Sequence, residues 1–187
     1  MQKDKIIGQR INVVGVSGSG KTTTAKHIAE RLQIPHFGLD ALHWGPNWTE
    51  PPIDKFREIV SDSLMASSWV VDGNYGKVRD IVWPQADTIV WLDYSLSTIM
   101  WQLIKRTIRR VVLRKLLWGG NHESLSTALF SKDSIYLWVL RPHKGQKIEH
   151  PQRFALKENA HLHIIHLKNP LQAKRFLDQI IIKANNI

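Results

Sequence analysis

One segment limits the possible folds of this chain more than any other: Gly15-Val16-Ser17-Gly18-Ser19-Gly20-Lys21-Thr22. The apolar run that leads into it, residues 10–16, predicts a buried strand, because short apolar runs closed by glycine are typical of sheets covered on both faces. The residues after it predict a helix, since apolar side chains recur on one helical face: Ala25, Ile28, Ala29 and Leu32. Strand, glycine-rich loop and helix in this order indicate an α/β protein.

The same alternation continues to the end of the chain. Apolar runs predict four more strands, at residues 36–40, 69–72, 88–93 and 162–167. Helical periodicity appears in a stripe that includes Phe56 and Val60, and in a last stripe that includes Phe176 and Leu177. Strands that alternate with helices at this spacing predict a parallel sheet with helices on both faces. The expected fold class is therefore α/β.

Residues 118–150 depart from this pattern. Gly119-Gly120-Asn121, Pro142 and Gly145 break the segment, and no helical period is sustained across it. We interpret it as a mobile insertion over the sheet, with a short helix around residues 134–140. An ordinary pair of helices with weak sequence signals is the alternative.

Length and charge narrow the class of protein. A chain of 187 residues favours one domain, here residues 1–187. Lys and Arg number 26 against 16 Asp and Glu, and the net charge of +10 predicts attraction to polyanions such as nucleotides, nucleic acid or acidic lipid. The absence of cysteine excludes a thiol nucleophile and a zinc–thiolate site. The polar N-terminus and the lack of an apolar run of about 20 residues predict a soluble, cytoplasmic protein without a membrane segment.

The glycine-rich loop matches the phosphate-binding motif G-x-x-x-x-G-K-[ST] in full. Its glycines allow successive backbone N–H groups to turn inward, and the following helix adds the positive end of its dipole. Lys21 can neutralise charge on the β- and γ-phosphates, and the Thr22 hydroxyl can hold Mg²⁺. The motif predicts binding of a nucleoside triphosphate.

Three carboxylates follow predicted strands on the edge of the sheet that carries this loop, where open α/β sheets bind their ligands. Asp72 closes the third strand and has the pattern of a carboxylate that organises Mg²⁺ beside Thr22. Asp40 closes the second strand and can accept a proton from a substrate hydroxyl or orient that hydroxyl. The expected role of Asp93 is to cap the helix that begins near Ser95, and a part in the chemistry is its alternative. For Asp72 and Asp40, helix or turn capping is the alternative role.

Aromatic residues gather beside two of these carboxylates. His43, Trp44 and Trp48 follow Asp40, and Tyr75 follows Asp72. The tryptophans can stack on a nucleobase or line an acceptor pocket. Packing in the core or under a lid is the simpler interpretation for them, and a structural role is the simpler one for His43.

A basic segment extends from Tyr94 to His122 without any Asp or Glu. Arg106, Arg110 and Arg114 recur at i, i+4 and i+8 on a predicted helix, opposite an apolar face with Ile104 and Ile108. Such a row can clamp a transferring phosphoryl group or a nucleic-acid backbone, or remain a solvated face. The insertion supplies one further candidate clamp, Arg141.

Four segments together resemble one family. They are the phosphate loop, Leu39-Asp40-Ala41-Leu42-His43-Trp44, Val71-Asp72-Gly73-Asn74-Tyr75, and the arginine-rich helix after Trp91-Leu92-Asp93. This combination is similar to the bacterial topology-modulation proteins, relatives of adenylate kinase and other nucleoside monophosphate kinases. The likeness covers residues 10–114 closely and the insertion weakly.

The resemblance implies a three-layer P-loop fold with a five-stranded parallel sheet, an arginine-rich lid, and ATP with Mg²⁺ as phosphoryl donor. It implies that the triphosphate is held by the backbone and side chains of Gly15, Ser17, Gly18, Ser19, Gly20, Lys21, Thr22 and Thr23. It assigns Asp72 to the metal shell, Arg106 and Arg110 to the lid, and the loop 168–170 to the adenine. Adenylate kinases carry an arginine in the loop after the third strand that this chain lacks, which argues against AMP as acceptor unless Arg57 or Arg79 takes its place.

Three functions remain open from the sequence. The leading hypothesis is an ATP-dependent phosphotransferase acting on a nucleotide, nucleoside or other small hydroxyl acceptor, with Lys21, Asp40, Arg106, Arg110 and Arg141 as catalytic residues. The alternative is an NTP-dependent, DNA-topology-associated regulator that binds nucleic acid, although no DNA-reading module is present in the sequence. The third is a nucleotide-binding module without turnover.

Overall fold

The structure, a computed structural model, describes residues 7–112, 120 and 135–184. Five strands form one parallel sheet in the order β2-β3-β1-β4-β5. The strands are β1 (Arg10–Gly15), β2 (His36–Gly38), β3 (Trp69–Asp72), β4 (Thr88–Leu92) and β5 (His163–Leu167). The helices are α1 (Lys21–Leu32), α2 (Leu39–His43), α3 (Ile53–Ser63), α4 (Arg79–Gln85), α5 (Leu96–Val112), α6 (Ile135–Phe154) and α7 (Pro170–Ala184). The predicted α/β class and five-stranded parallel sheet are confirmed.

Strand residues alternate between two buried layers, because successive side chains of a strand point to opposite faces. Ile11 and Val13 of β1 join the layer that α1 and α7 cover, whereas Val14 joins the layer of α3 and α4. In β3, Val70 belongs to the first layer and Val71 to the second. Both faces of the sheet are therefore buried, which explains why the strands are nearly continuous apolar runs.

One polar side chain in the centre of the sheet is hydrogen-bonded through both its nitrogen and its oxygen. Asn12 of β1 is buried, and its amide donates to the backbone oxygen of Val71 at 3.1 Å. The indole N–H of Trp83 in α4 donates to the Asn12 side-chain oxygen at 3.1 Å. These bonds connect α4 to the two central strands. Helix α4, which contains Pro84, has no counterpart among the predicted elements.

The second predicted strand is too long. The strand ends at Gly38, and Asp40 lies in the first turn of α2. The expectation that Asp40 closes a strand is wrong, because the chain turns into a helix as soon as its pairing with β3 ends at Gly38 opposite Asp72.

The helix predicted around residues 134–140 is too short. Helix α6 continues through Pro142, Gly145 and Pro151 to Phe154, far beyond the short helix predicted around residues 134–140. Its C-terminal part packs on α4 and β4, where the Phe154 ring stacks on Trp83 at 5.5 Å and lies 5.7 Å from the Trp91 ring. This packing compensates for the helix-breaking residues. Residues 113–119 and 121–134, the rest of the predicted insertion, lie outside the described residues.

His150 in α6 is buried in this second layer, with a ring of Trp91 against its edge at 5.5 Å. Neither ring nitrogen has a hydrogen-bond partner among the described residues. Burial lowers the pKa of His150 to about 4, with Arg79 and Arg153 acting in the same direction and Glu149 in the opposite one. The folded protein therefore holds this imidazole neutral.

We expect the free energy of unfolding to fall as the pH drops from 6.5 towards 4, because the unfolded chain then binds a proton that folded His150 does not. Between pH 6.5 and 5 the loss amounts to about 2 kcal/mol. Urea unfolding of wild type and His150→Leu at pH 7 and pH 5 measures it. The variant should lose this component, whereas His163→Gln, at an exposed position of β5, should keep it. An identical pH dependence in both variants would contradict the assignment.

Candidate active site

The loop between β1 and α1 forms a cradle at the carboxyl end of the central strand. Gly18 and Gly20 have φ of 85° and 89°, the left-handed region that glycine adopts without strain. Gly15 has φ of 150°, and a Cβ at this position would lie 2.7 Å from the Leu92 backbone oxygen. Among the described residues no side chain caps the first turn of α1, which leaves its amides available to an anion. The Ser19 hydroxyl is buried without a partner among the described residues.

Lys21 opens α1 and lies in the cleft next to this loop. Its ammonium group donates to the Val16 backbone oxygen at 3.2 Å. Burial lowers its pKa, while the carboxylates of Asp40 and Asp72 oppose that shift and Arg106 adds to it. Because water is partly excluded around the Lys21 ammonium group, this cation interacts strongly with any anion that enters the cleft.

Asp72 is buried at the end of β3, between two side chains from other elements. One carboxylate oxygen accepts from the Thr22 hydroxyl at 2.6 Å, and the other lies 2.7 Å from Nε2 of His36 on β2. The structure thus brings the two residues predicted for a metal, Thr22 and Asp72, into direct contact. The His36 contact was not predicted, because no sequence signal pairs β2 with β3.

Asp40 lies on the other side of the cleft, where the Tyr75 hydroxyl donates to its Oδ1 at 2.8 Å. Burial, and then the negative charge of Asp40, raise the pKa of Tyr75, so the phenol stays protonated and remains a donor. Asp40 Oδ2 makes no hydrogen bond or ion pair with the residues that the structure describes. Asp40 therefore keeps one carboxylate oxygen for a further donor.

Asn74 connects the loop after β3 to the phosphate loop. Its side-chain oxygen accepts from the Gly15 N–H at 3.1 Å, and its amide donates to the Gly15 backbone oxygen at 2.5 Å. The two loops are thus held together although their residues are 59 positions apart. The sequence offers no signal for this contact.

A single cleft of about 1160 Å³ runs along the phosphate loop and α1 to the start of α7. Asp40 lies on its wall together with Lys105, Arg106 and Arg109 of α5. Pro170, in the loop predicted to pack on adenine, also lines it. Of the predicted arginines, Arg106 therefore faces the cleft. The side chains of Arg110 in α5 and Arg141 in α6 lie outside the described part of the structure, as does all of Arg114.

Helix α5 buries a different face from the predicted one. Ile99 and Leu103 enter the core and Thr107 is buried beside them, whereas Ile108 is 54% exposed. The predicted apolar face with Ile104 and Ile108 is therefore wrong at Ile108, because the helix turns Leu103 towards α1 and the sheet.

Asp93 caps no helix. It lies 2.9 Å from Nε2 of His166 and 3.6 Å from the ammonium group of Lys147. The cap of α5 is Ser95, whose hydroxyl accepts from the Thr98 N–H at 3.3 Å. The capping expected of Asp93 is wrong, since the neighbouring strand supplies a partner that a local turn would not.

Comparisons with known proteins agree with this geometry. No family model matches the chain. A shikimate kinase from Synechococcus sp. (strain CC9902) is 31% identical over 149 residues, which cover 72% of this chain and 76% of that protein.

Among solved structures, a gluconokinase from Sinorhizobium meliloti 1021 has a TM-score of 0.50 at 20% identity, over 95% of this chain and 94% of that one. The shikimate kinase from Acinetobacter baumannii in complex with shikimate has a TM-score of 0.50 at 19% identity, over 96% and 95% of the two chains. At these identities the two structures establish the fold.

The parallel sheet and the phosphate loop at the end of its central strand define a P-loop kinase. The chain belongs to the family of P-loop kinases that includes shikimate kinase. It is an ATP-dependent phosphotransferase that acts on a small hydroxyl acceptor. Within the described residues, no helix combines the length and apolarity that a membrane span requires.

Proposed function

We propose that the chain transfers the γ-phosphoryl group of ATP to a small hydroxyl compound whose reacting oxygen lies at Asp40. The observation that carries this proposal is one cleft that contains the phosphate loop, Lys21, Asp40 and the cations of α5. The donor phosphates would occupy the cradle of Gly15, Ser17, Gly18, Ser19, Gly20, Lys21, Thr22 and Thr23. The Ser19 hydroxyl and the first amides of α1, which have no side-chain partner in the part of the chain that the structure describes, support that placement.

In the proposed reaction, Asp40 Oδ2 accepts the hydrogen bond of the acceptor hydroxyl and then its proton. The acceptor oxygen forms a bond to the γ-phosphorus while the bond from that phosphorus to the β,γ-bridging oxygen breaks, and ADP leaves. Lys21 and Arg106 would stabilise the negative charge on the transferring group. Arg110 and Arg141 remain proposed partners in the same role. An enclosed site would keep water from taking the phosphoryl group.

Thr22 at the start of α1 and Asp72 at the end of β3 fit Mg²⁺, because they present hard oxygen ligands 2.6 Å apart next to the cradle. These two residues would hold the ion, Thr22 directly and Asp72 through a bound water. When bound, the ion would neutralise charge on the donor phosphates. His36 would fix the orientation of the Asp72 carboxylate.

We expect Asp72→Asn to raise the Mg²⁺ concentration for half-maximal activity by about 10- to 100-fold, because the variant loses the charge while keeping the shape. ADP release against Mg²⁺ concentration measures this, and calorimetry of ATP binding with and without Mg²⁺ provides a readout that does not need turnover. Asp62→Asn makes the same change at an exposed position of α3 and should leave both unchanged. An unaltered Mg²⁺ dependence would show that Asp72 has only a structural role.

The proposal as a whole is tested by screening hydroxyl acceptors with ATP and Mg²⁺ while ADP formation is measured. An acceptor that raises ADP formation above basal hydrolysis supports it, and a broad screen without one argues against it.

The finer predictions are part of the same proposal: a nearer relation to the topology-modulation proteins, a single domain over residues 1–187 with 118–150 as lid, and a cytoplasmic location. The nucleic-acid alternative finds no support in the comparisons.

A further inference from the structure

We infer that a single water molecule binds in a small cavity between α6 and the loop after β3, and that His150 positions this loop through that water. The loop, residues 73–75, contains the hydrogen-bond partners of both Gly15 in the phosphate loop and Asp40. His150 is therefore a positioning residue and does not touch the reacting atoms. The water site follows from the cavity alone, whereas its effect on phosphoryl transfer rests on the proposed function.

The cavity has a volume of about 10 Å³. Residues with polar side chains from three parts of the chain line it: His150 of α6, Asn74 and Tyr75 of the loop, and Arg79 of α4. The rest of its wall is mostly core, such as Val82. This volume is the room that one water molecule needs, and an internal water is held where two to four polar groups surround it. The cavity therefore has both the size and the chemistry of a site for one water.

His150 is the group in this wall that most needs a partner. The residue is only 2% exposed, and neither ring nitrogen has a hydrogen-bond partner among the described residues. A buried polar group without a hydrogen bond destabilises the folded protein, and native proteins commonly supply the partner as an internal water. Because burial lowers the pKa of His150 to about 4, the ring is neutral, with one nitrogen that donates and one that accepts. A water can therefore bond to either nitrogen.

Asn74 and Arg79 supply the other hydrogen bonds that such a water needs. The Asn74 amide donates to the Gly15 backbone oxygen, and within the described residues it makes no second donation, although it has two N–H groups. The Arg79 guanidinium has five N–H groups, of which the described contacts use one, towards Glu149 at 3.5 Å. A water that accepts from Asn74 or Arg79 and donates to His150 has the two partners that hold an internal water in place.

The water would connect α6 to the loop that holds the proposed general base. Asn74 is fixed by two hydrogen bonds to Gly15, whereas the Tyr75 hydroxyl has one described bond, to Asp40 at 2.8 Å. A loop that loses its restraint from α6 is therefore expected to shift first at Tyr75. Such a shift would disturb the carboxylate of Asp40 before it disturbs the phosphate loop, so the acceptor should be affected more than the nucleotide.

A high-resolution crystal structure of the wild-type protein tests the water site directly. We expect density for one water at about 2.7–3.2 Å from a ring nitrogen of His150 and from a nitrogen of Asn74 or Arg79. In His150→Phe, which keeps a buried ring without polar atoms, this density should be lost. An empty cavity in the wild type, or a His150 nitrogen bonded directly to a protein group, would overturn the inference. A water retained in His150→Phe would overturn the part assigned to His150.

Kinetics of the same variant test the positioning role. His150→Phe should lower kcat/KM for the acceptor by about three- to tenfold, the effect of one lost hydrogen bond, while the Kd for ATP with Mg²⁺ changes by less than about twofold. His150→Gln, which keeps a donor and an acceptor, should recover most of that loss. His163→Phe makes the same change at an exposed position of β5 and should leave both quantities as they are.

Equal losses in kcat/KM and in ATP affinity in His150→Phe, or no recovery in His150→Gln, would show that His150 only stabilises the fold and would overturn its positioning role. Failure of the proposed kinase function looks different. In that case no acceptor would raise ADP formation, while the wild-type crystal structure would still show the water between His150 and the loop.

Discussion

Replacement of Lys21 by alanine is expected to lower kcat for ADP formation by about 10²- to 10³-fold, the effect of removing one preorganised electrostatic contact to the transferring group. The folded protein should not be weakened, because among the described residues Lys21 has only the Val16 carbonyl as a hydrogen-bond partner, and burial already disfavours its charge. The measurements are ADP release with a saturating acceptor, calorimetry with ATP and Mg²⁺, and urea unfolding.

Lys26→Ala is the matched control, since Lys26 lies on the same helix and lines the same cleft further from the phosphate loop. It should retain most of the turnover. A wild-type protein without turnover, together with a Lys21→Ala protein whose stability is changed, would instead favour a nucleotide-binding module without turnover. Failure of the wild-type protein to bind ATP or ADP would remove the basis of the whole assignment.

Replacement of Asp40 by asparagine is expected to lower kcat/KM for the acceptor by about 10²- to 10⁴-fold, the range for loss of a general base. Asparagine retains the shape and can still accept the Tyr75 hydrogen bond, but it cannot take the proton of the acceptor hydroxyl. ATP binding should persist, and calorimetry in the absence of acceptor checks this separately from turnover.

The variant Tyr75→Phe tests how much the proposed general base, Asp40, depends on its hydrogen bond from Tyr75. This variant removes the 2.8 Å bond to Asp40 while leaving the carboxylate in place, so we expect a loss of only a few-fold, on the order of one neutral hydrogen bond. If Asp40→Asn were as active as Tyr75→Phe, Asp40 would orient the acceptor without accepting its proton.

The parts of the fold that could be predicted are those encoded by neighbouring residues. Strands β3, β4 and β5 are apolar runs bounded by polar residues, so their positions follow from the sequence within one residue. Helix α6 was predicted too short because Pro142, Gly145 and Pro151 signal breaks, whereas Phe154 near its end packs on Trp83 and Trp91. Packing of this kind is not visible in local periodicity.

The candidate site also has one part that the sequence predicts and another part that it does not. The phosphate loop is contiguous, so its residues and their chemistry can be predicted from the motif. The contacts that organise the rest join distant positions: His36 with Asp72, Asp40 with Tyr75, and Asn74 with Gly15. Each depends on the order of the strands in the sheet, which the sequence does not specify.

The double hydrogen bond between Asn74 and Gly15 has a consequence for how such an enzyme can change its substrate. The loop after β3, next to the proposed acceptor position, is hydrogen-bonded to Gly15, the first residue of the phosphate loop. A displacement of either loop would therefore distort the other. A different acceptor must then be accommodated by exchanging side chains on a fixed frame, at positions such as Tyr75, which contacts Asp40. A change of acceptor is thereby separated from the handling of the nucleotide.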